Sequence, residues 1–372
     1  MRKMVSWKVF FLAIVAAVFL PAWSAAAANA GGDRAGQAEA AIERGRAAVG
    51  EWMSGQGIPG LSVAVAKNGD LIWSEGFGFA DVENRVPASP KTMYRIGSLS
   101  KVLTAAALAK LAERKLLDLD APVQKYVPSF PAKEYEITPR LIAGHLAGLR
   151  HYRREDYINA VRKANVLDSL KIFQDDPLLH RPGEKYFYSS YGYILLSAVI
   201  EGAMKKDFLT SITELIFTPA KMTGTQADDN RAIIQNRSRY YSKSSDGPLQ
   251  NEAYTDLSDR WAAGGFLSRA EDLARFGSLH LKPGFFEPQT LGLLFTSQKT
   301  LDGKETGVGL GWRIGQDAKG RKIYHHGGDS LGGRAFLVIY PESGFVIAIT
   351  ANLSLARIAE AEASLLIDPF LN

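Results

Sequence analysis

One stretch of the chain, residues 95–114, joins a glycine-containing turn to a helix that is apolar on most of its faces. Its apolar side chains are Val102, Leu103, Ala105, Ala106, Ala107, Leu108 and Leu111. A helix of this kind is buried in the interior of a domain. The rest of the chain must therefore cover it, and 372 residues are enough for one large core or for two domains.

Strand patterns lie on both sides of this helix in the sequence. Residues 61–67 alternate as a strand does, Asn68-Gly69 is a strong hairpin signal, and residues 71–76 form the return strand. Four more strands are predicted near the end of the chain, over residues 308–314, 322–326, 334–340 and 345–350. We therefore predict an antiparallel sheet that is built from both ends of the chain.

The segment between these strand regions, about residues 120–260, is mixed in pattern but favours helices. An antiparallel sheet with segregated helices is an α+β fold rather than a doubly wound one. The sequence thus predicts an α+β domain in which helices flank the sheet and a largely helical subdomain is inserted.

The first residues resemble a secretory signal peptide. Basic residues within 2–8 precede an apolar run at 9–20, and small residues follow at 24–30. The apolar run is shorter than the ~20 residues that a membrane-spanning helix needs, although an uncleaved anchor is the alternative. We predict a signal peptide at 1–30, a single domain at 31–372, no stable membrane span after cleavage, and a periplasmic or secreted protein.

Composition excludes several classes of function. The chain has no cysteine, which rules out disulfides, cysteine–zinc sites and a thiol nucleophile. Its net charge of +5 comes without a dense basic run, so we expect no nucleic-acid partner. Arg150, Arg153 and Arg154 are the densest basic group and are typical of a solvated loop. The histidines lack metal-binding spacing, and we predict no metal and no cofactor.

The turn before the apolar helix places a hydroxyl and an amine three residues apart, at Ser98 and Lys101. Residues with this spacing share one face of a helix, so we predict that the two side chains point the same way, with Ser98 in the first turn of the helix. A free lysine has a pKa near ~10.4, and burial on an apolar helix lowers the cost of neutralising it. Ser98 and Lys101 are therefore candidates for a nucleophile and its base, although so short a motif also occurs by chance as an exposed polar pair.

Two other stretches carry candidate chemistry. Tyr188, in Tyr188-Ser189-Ser190, could relay a proton to a nearby lysine, but a tyrosine before an apolar helix is more often a core residue. The segment 325–333, His-His-Gly-Gly-Asp-Ser-Leu-Gly-Gly, would let a ligand approach the backbone closely. Its alternative interpretation is a hairpin turn with two surface histidines.

These three elements occur in the order of a known signature. Ser-x-x-Lys at 98–101, the tyrosine triplet at 188–190 and His326-Gly327-Gly328 resemble the motifs of the serine β-lactamase and penicillin-binding-protein family. That family includes class C β-lactamases, D-alanyl-D-alanine carboxypeptidases and esterases. The run at 148–152 and the tyrosine triplet are most similar to the mitochondrial serine β-lactamase-like branch.

The resemblance implies a role for each matching residue. Ser98 would be the acylated nucleophile, Lys101 its proton acceptor and Tyr188 a second general base. The backbone N–H groups of Ser98 and Asp329 would form the oxyanion hole, and His326-Gly327-Gly328 would be the substrate-binding strand. A small-molecule or peptide substrate is implied, and the family needs no cofactor.

Two positions depart from the family pattern. Ser190 stands where the triplet usually has an asparagine that holds the substrate carbonyl, and Gly327 stands where the strand usually offers a hydroxyl. The sequence predicts a serine hydrolase that forms an acyl-enzyme with a peptide, ester or β-lactam carbonyl. The alternative is a catalytically weak binding or assembly protein on the same fold.

Overall fold

The computed structural model of the chain describes Met1 and residues 24–244 and 247–371. Most of the predicted signal peptide, residues 2–23, lies outside these described residues. The predicted cleavage region at 24–30 forms the beginning of a long helix. Within the described ranges, we find no helix that is both long enough and apolar enough to cross a membrane.

A large antiparallel sheet organises the molecule. The strands in chain order are β1 Gly60–Lys67, β2 Asp70–Asp81, β3 Val86–Pro87, β4 Tyr94–Arg95, β5 Gln226–Ala227, β6 Tyr241–Lys243, β7 Leu249–Asn251, β8 Phe266–Ser268, β9 Arg313–Gln316, β10 Lys322–Ser330, β11 Gly333–Tyr340 and β12 Phe345–Ala351. In the described residues the main sheet has the order β3-β2-β1-β12-β11-β10-β9. Its centre pairs β1 from the start of the chain with β12 from the end, with Leu61 opposite Ala351. The predicted α+β architecture is confirmed.

Helices cover both faces of this sheet. They are α1 Ser24–Gln56, α2 Ser100–Glu113, α3 Pro139–Ala143, α4 Val166–Leu170, α5 Ser190–Met204, α6 Phe208–Ile212, α7 Trp261–Gly264, α8 Ala270–Ser278, α9 Pro288–Phe295 and α10 Glu360–Leu371. A short 3₁₀ turn, Gly97–Leu99, precedes α2. Ser98 therefore lies in this turn rather than in the first turn of the predicted helix.

The sheet separates two apolar cores. Leu337 and Ile339 of β11 pack with α2, which is as fully buried as its sequence predicts. Phe336 and Val338 of the same strand point to the opposite core, beneath α1 and α10. This alternation follows from the two-residue period of a strand. The same alternation determines on which face of the sheet each side chain of the neighbouring strand β10 lies.

The region predicted as a helical insert is helical in its first part. Helices α3, α4, α5 and α6 lie within 120–260, and a π-helical turn, Thr213–Phe217, follows α6. The later part of the region contains the short strands β5, β6 and β7 instead. These strands pair in two small sheets, since β5 joins β8 and β6 joins β7.

Candidate active site

Ser98 and Lys101 meet at the entry to α2. Side chains three residues apart nearly eclipse each other in a 3₁₀ turn, so the turn and the first residues of α2 bring the two together. Lys101 Nζ lies 3.0 Å from Ser98 Oγ and 2.6 Å from the backbone oxygen of Ala263, at the end of α7. Lys101 is fully buried, whereas Ser98 is partly exposed. The Ser98 hydroxyl is therefore on the solvent side, and the Lys101 amine contacts it from the interior.

The surroundings of Lys101 favour the neutral amine. Burial lowers its pKa well below the ordinary value, and the positive charge of Arg260 lowers it further. No described carboxylate lies within 4.0 Å of Lys101 Nζ, where it would stabilise the protonated amine. Its hydrogen-bonding partners, Ser98 and the Ala263 carbonyl, are both uncharged. A buried lysine in this setting is suited to accept a proton.

Tyr188 lies beside this pair, just before α5. The centroid of its ring is 5.0 Å from Lys101 Nζ. Burial raises the pKa of the Tyr188 hydroxyl to about 12, and polar contacts from Ser98 and Ser190 oppose this rise. Ser189 caps α5 by accepting a hydrogen bond from the Gly192 N–H. The cap fixes the chain that carries the tyrosine.

Two histidines that sequence analysis left without a role hold Tyr188 between them. The His145 ring packs at 4.4 Å from the tyrosine ring, and the His151 ring meets it edge-on at 5.4 Å. His145 Nδ1 accepts a hydrogen bond from the Ser189 N–H, and His151 Nδ1 accepts one from the Ser190 N–H, each at 3.1 Å. Both rings therefore act as acceptors at Nδ1, and a neutral ring with this tautomer carries its proton on Nε2.

Burial keeps both of these rings neutral. It lowers the pKa of His151 to about 4 and that of His145 well below its ordinary value. The run 148–152 was the available sequence signal, since it contains His151 and resembles the family. Nothing in that run indicates that two imidazole rings would accept hydrogen bonds from successive backbone N–H groups at the start of α5.

Arg150 anchors the loop that carries His151. Its guanidinium pairs with Asp156 and with Asp176 and lies 4.6 Å from the centroid of the Tyr191 ring. The prediction of a solvated basic loop is therefore wrong for Arg150, although Arg153 and Arg154 are exposed. Burial against an aromatic ring and two acidic partners accounts for the difference.

The third predicted element forms β10 rather than a surface turn. His326 is buried, and its Nδ1 donates to the Gly327 carbonyl at 2.6 Å. Burial lowers the pKa of His326 to about 3. His325 is buried as well, so the alternative of two surface histidines is excluded. The hairpin turn lies further on, between β10 and β11.

The edge of β10 and the nucleophile turn are in backbone contact. A Cβ on Gly97 would lie 2.4 Å from the Asp329 backbone oxygen, and one on Gly328 would lie 1.7 Å from the Ile96 oxygen. Gly97 also has φ of +49°, a conformation that favours glycine. Only glycine at both positions lets the Ser98 and Asp329 backbones approach this closely.

The predicted residues converge on one cavity of about 320 Å³. Its lining includes Ser98, Tyr188, His326, Gly327 and Asp329. Lys101 and Ser190 lie buried behind this lining, and Gly328 packs against the nucleophile turn. Sequence analysis did not identify the other charged residues of the lining, Arg313, Arg334 and Glu360. Among the residues with described positions, no group of three acidic or histidine side chains could hold a metal ion.

Comparison with known proteins places the chain in a family. Residues 39–366 match the family described as Beta-lactamase. The chain belongs to the beta-lactamase family. This family is one of serine hydrolases on a common fold, and the predicted family resemblance is thereby confirmed.

Individual relatives of this beta-lactamase family member agree with the assignment. The chain is 32% identical to the serine beta-lactamase-like protein LACTB, mitochondrial, of Homo sapiens, over 80% of this chain and 74% of that protein. A penicillin-binding protein homologue from Pyrococcus abyssi, described as octameric, has the same fold with a TM-score of 0.76 and 24% identity, covering 89% of this chain and 77% of that one. A D-amino acid amidase from Ochrobactrum anthropi has a TM-score of 0.77 and 19% identity, covering 89% of this chain and 99% of that one.

The same relatives correct the predicted location. The proteins from Homo sapiens, Bos taurus and Mus musculus that match at 31–32% identity are all named as mitochondrial. This finding contradicts the prediction of a periplasmic or secreted protein, which is wrong. That prediction rested on basic residues, an apolar run and small residues in succession, and positively charged N-terminal segments direct proteins to more than one compartment.

Proposed function

We propose that this chain is a serine hydrolase that forms an acyl-enzyme on Ser98. The observation that carries the proposal is the 3.0 Å contact between Ser98 Oγ and the fully buried Lys101 Nζ. An exposed serine has no base to remove its proton, whereas here a neutral amine lies in hydrogen-bonding reach. The opening of the cavity at Ser98 gives a substrate access to the same oxygen.

In the acylation step, Ser98 Oγ bonds to the substrate carbonyl carbon while its proton passes to Lys101 Nζ. The carbonyl oxygen becomes an oxyanion, to which the backbone N–H groups of Ser98 and Asp329 donate in this proposal. The close approach of Gly97 to Asp329 supports this arrangement. Collapse of the intermediate breaks the bond to the leaving group, which takes up the proton. One oxyanion donor of this kind contributes about 3 kcal/mol.

We assign Tyr188 to proton relay between Lys101, the leaving group and the incoming water. A pKa of about 12 leaves only about 10⁻⁵ of the hydroxyl ionised at neutral pH. Tyr188 therefore receives a proton from water only as it passes its own proton onward, toward Ser98 or Lys101. Hydrolysis of the acyl-enzyme then returns the proton to Ser98 Oγ and releases the acid.

A covalent label tests this proposal. The protein is incubated with diisopropyl fluorophosphate and its intact mass and labelled peptide are measured. We expect one adduct, on Ser98, and none in Ser98→Ala. An unlabelled wild-type protein, or an adduct that persists in Ser98→Ala, would refute an acyl-transfer role for this serine.

The substituted positions favour a second candidate, a binding or assembly protein with little turnover. Ser190 is directed to Tyr188 and is 2% exposed, so it offers less to a substrate than the usual asparagine would. Hydrolysis of p-nitrophenyl acetate separates the two candidates. Turnover that disappears in both Ser98→Ala and Lys101→Ala excludes the binding protein, whereas labelling of Ser98 without turnover supports it.

A further inference from the structure

We propose that Gly327 opens a substrate subsite on the α10 side of β10, and that this subsite accepts a flat group such as an aryl substituent. The inference rests on the proposed function, because it concerns substrates that acylate Ser98. In this proposal Gly327 determines which substrates bind and takes no part in the chemical step.

The register of the sheet shows which face Gly327 occupies. Gly327 is paired with Phe336, whose side chain belongs to the core beneath α1 and α10. His326 is paired with Leu337, whose side chain belongs to the core that contains α2. Because neighbouring strand residues point to opposite faces, a side chain at 327 would extend toward α10 and away from Lys101.

The cavity at Ser98 nevertheless continues to that face. Its lining includes Ser98 and Tyr188 on one side of β10, and on the other side His325, Phe336, Ala359 and Glu360. Residues 326–330 of β10 pair with β11, whereas β9 ends opposite His325, so the edge beside Gly327 has no described strand neighbour on its other side. The two parts of the cavity join around this edge, where position 327 has no side chain to separate them.

Packing does not require glycine at this position. A Cβ on Gly327 would meet only Phe336 Cδ2, at 3.6 Å, which is an ordinary contact, and φ lies outside the left-handed region. The neighbouring Gly328 is different, since its Cβ would lie 1.7 Å from a backbone oxygen. Gly328 is needed by the fold, whereas the space at Gly327 is available to a ligand.

The walls of the subsite indicate what it accepts. The rings of His325 and Phe336 lie 5.6 Å apart, Ala359 lies beside them, and the guanidinium groups of Arg313 and Arg334 line the same cavity. The Glu360 carboxylate is held at the far end, with Oε1 3.0 Å from His325 Nδ1. Burial lowers the pKa of His325, while the charge of Glu360 opposes this shift. Aromatic groups stack against flat aromatic and guanidinium surfaces such as these.

Two labelling reagents test the subsite directly. The second-order rate of Ser98 modification is measured with diethyl fluorophosphate and with a fluorophosphonate that carries a 2-naphthylmethyl group. The variants are Gly327→Ala and Gly327→Thr. Gly315→Ala is the matched control, because Gly315 is also a strand glycine and a Cβ there would meet nothing within 4 Å. Circular dichroism establishes that each variant is folded.

We expect the wild-type protein to react faster with the naphthyl reagent. The ratio of the two rates should fall about 10-fold in Gly327→Thr and less in Gly327→Ala, because the added side chain occupies part of the space for the naphthyl group. Gly315→Ala should keep the wild-type ratio. An unchanged ratio in folded Gly327→Ala and Gly327→Thr would overturn the subsite while Ser98 still reacts. Failure of diethyl fluorophosphate to modify wild-type Ser98 would overturn the proposed function itself.

Discussion

The two sides of the Ser98 cavity are built differently. On the helical side, Lys101 is fully buried and Tyr188 is held between two histidine rings. On the β10 side, the edge is open, and Gly327 leaves space that packing does not require. Groups that move protons need fixed geometry, whereas groups that select substrates can change without loss of the fold. We therefore expect substitutions on the helical side to abolish reaction and those on the β10 side to alter substrate preference.

The largest effect should come from Lys101→Met, which keeps an unbranched apolar side chain but removes the amine. We expect the rate of Ser98 labelling to fall about 10³–10⁴-fold, because the variant lacks the amine that lies 3.0 Å from Ser98 Oγ. The melting temperature should change little, since losing the bond to Ala263 is offset by removal of a buried polar group. Labelling kinetics and thermal unfolding measure the two effects.

Lys110→Met is the matched control on the same helix. Lys110 is bonded to Glu113 and to the Phe285 carbonyl, away from the cavity. It should leave labelling unchanged. If Lys101→Met retained the wild-type labelling rate, the helical side would not contain the base.

The next effect should be that of Tyr188→Phe. Removing the hydroxyl leaves the ring in place between His145 and His151 but breaks the proposed proton relay. We expect turnover of p-nitrophenyl acetate to fall about 10²–10³-fold. Tyr186→Phe is the control, because Tyr186 also contacts His145, edge-on at 5.7 Å, and has no proposed part in the reaction. Equal turnover by the two variants would remove Tyr188 from the mechanism.

A smaller effect should follow when the support of Tyr188 is altered at His151. His151→Phe keeps a ring beside the tyrosine but cannot accept the Ser190 N–H, which now bonds to Nδ1 at 3.1 Å. We expect about a 10-fold loss in turnover, a cost of the order of one unsatisfied hydrogen bond. His151→Asn, whose Oδ1 can take the place of Nδ1, should recover most of it. If His151→Asn and His151→Phe reduced turnover equally, the hydrogen bond to Ser190 would not be what positions Tyr188.

Local signals in the sequence predicted much of the fold. Asn68 and Gly69 have φ of 50° and 84°, as the hairpin between β1 and β2 requires. The all-apolar pattern of α2 predicted its burial, and the spacing of Ser98 and Lys101 predicted their contact. Each of these properties depends on residues that are neighbours in the chain.

Contacts between distant residues account for what the sequence did not predict. The second partner of Lys101 is a backbone oxygen at Ala263, which carries no side-chain signal. His151 reaches Tyr188 only because ion pairs of Arg150 with Asp156 and Asp176 hold its loop. A pattern of residue types cannot indicate such a loop conformation, because tertiary contacts determine it.

The smallest effect concerns stability rather than reaction. Burial lowers the pKa of His326 to about 3 at the site and of His280 to about 4 in the core. Unfolding returns each pKa to about 6.5, so the unfolded chain binds more protons below that pH and stability is lost as pH falls. Between pH 6.5 and 5, each of these histidines should lower the free energy of unfolding by about 1.5 kcal/mol.

His280→Phe separates this effect from the reaction. His280 lies among aromatic rings, 4.8 Å from Phe276 and 5.1 Å from Trp312, and has no contact with the Ser98 cavity. Urea unfolding at pH 6.5 and pH 5 should show a smaller loss of stability in the variant than in the wild-type protein, while Ser98 labelling at pH 7 is unchanged. An equal loss in both proteins would mean that His280 is already protonated in the folded state. The pH dependence would then arise from buried histidines other than His280, such as His326 at the site.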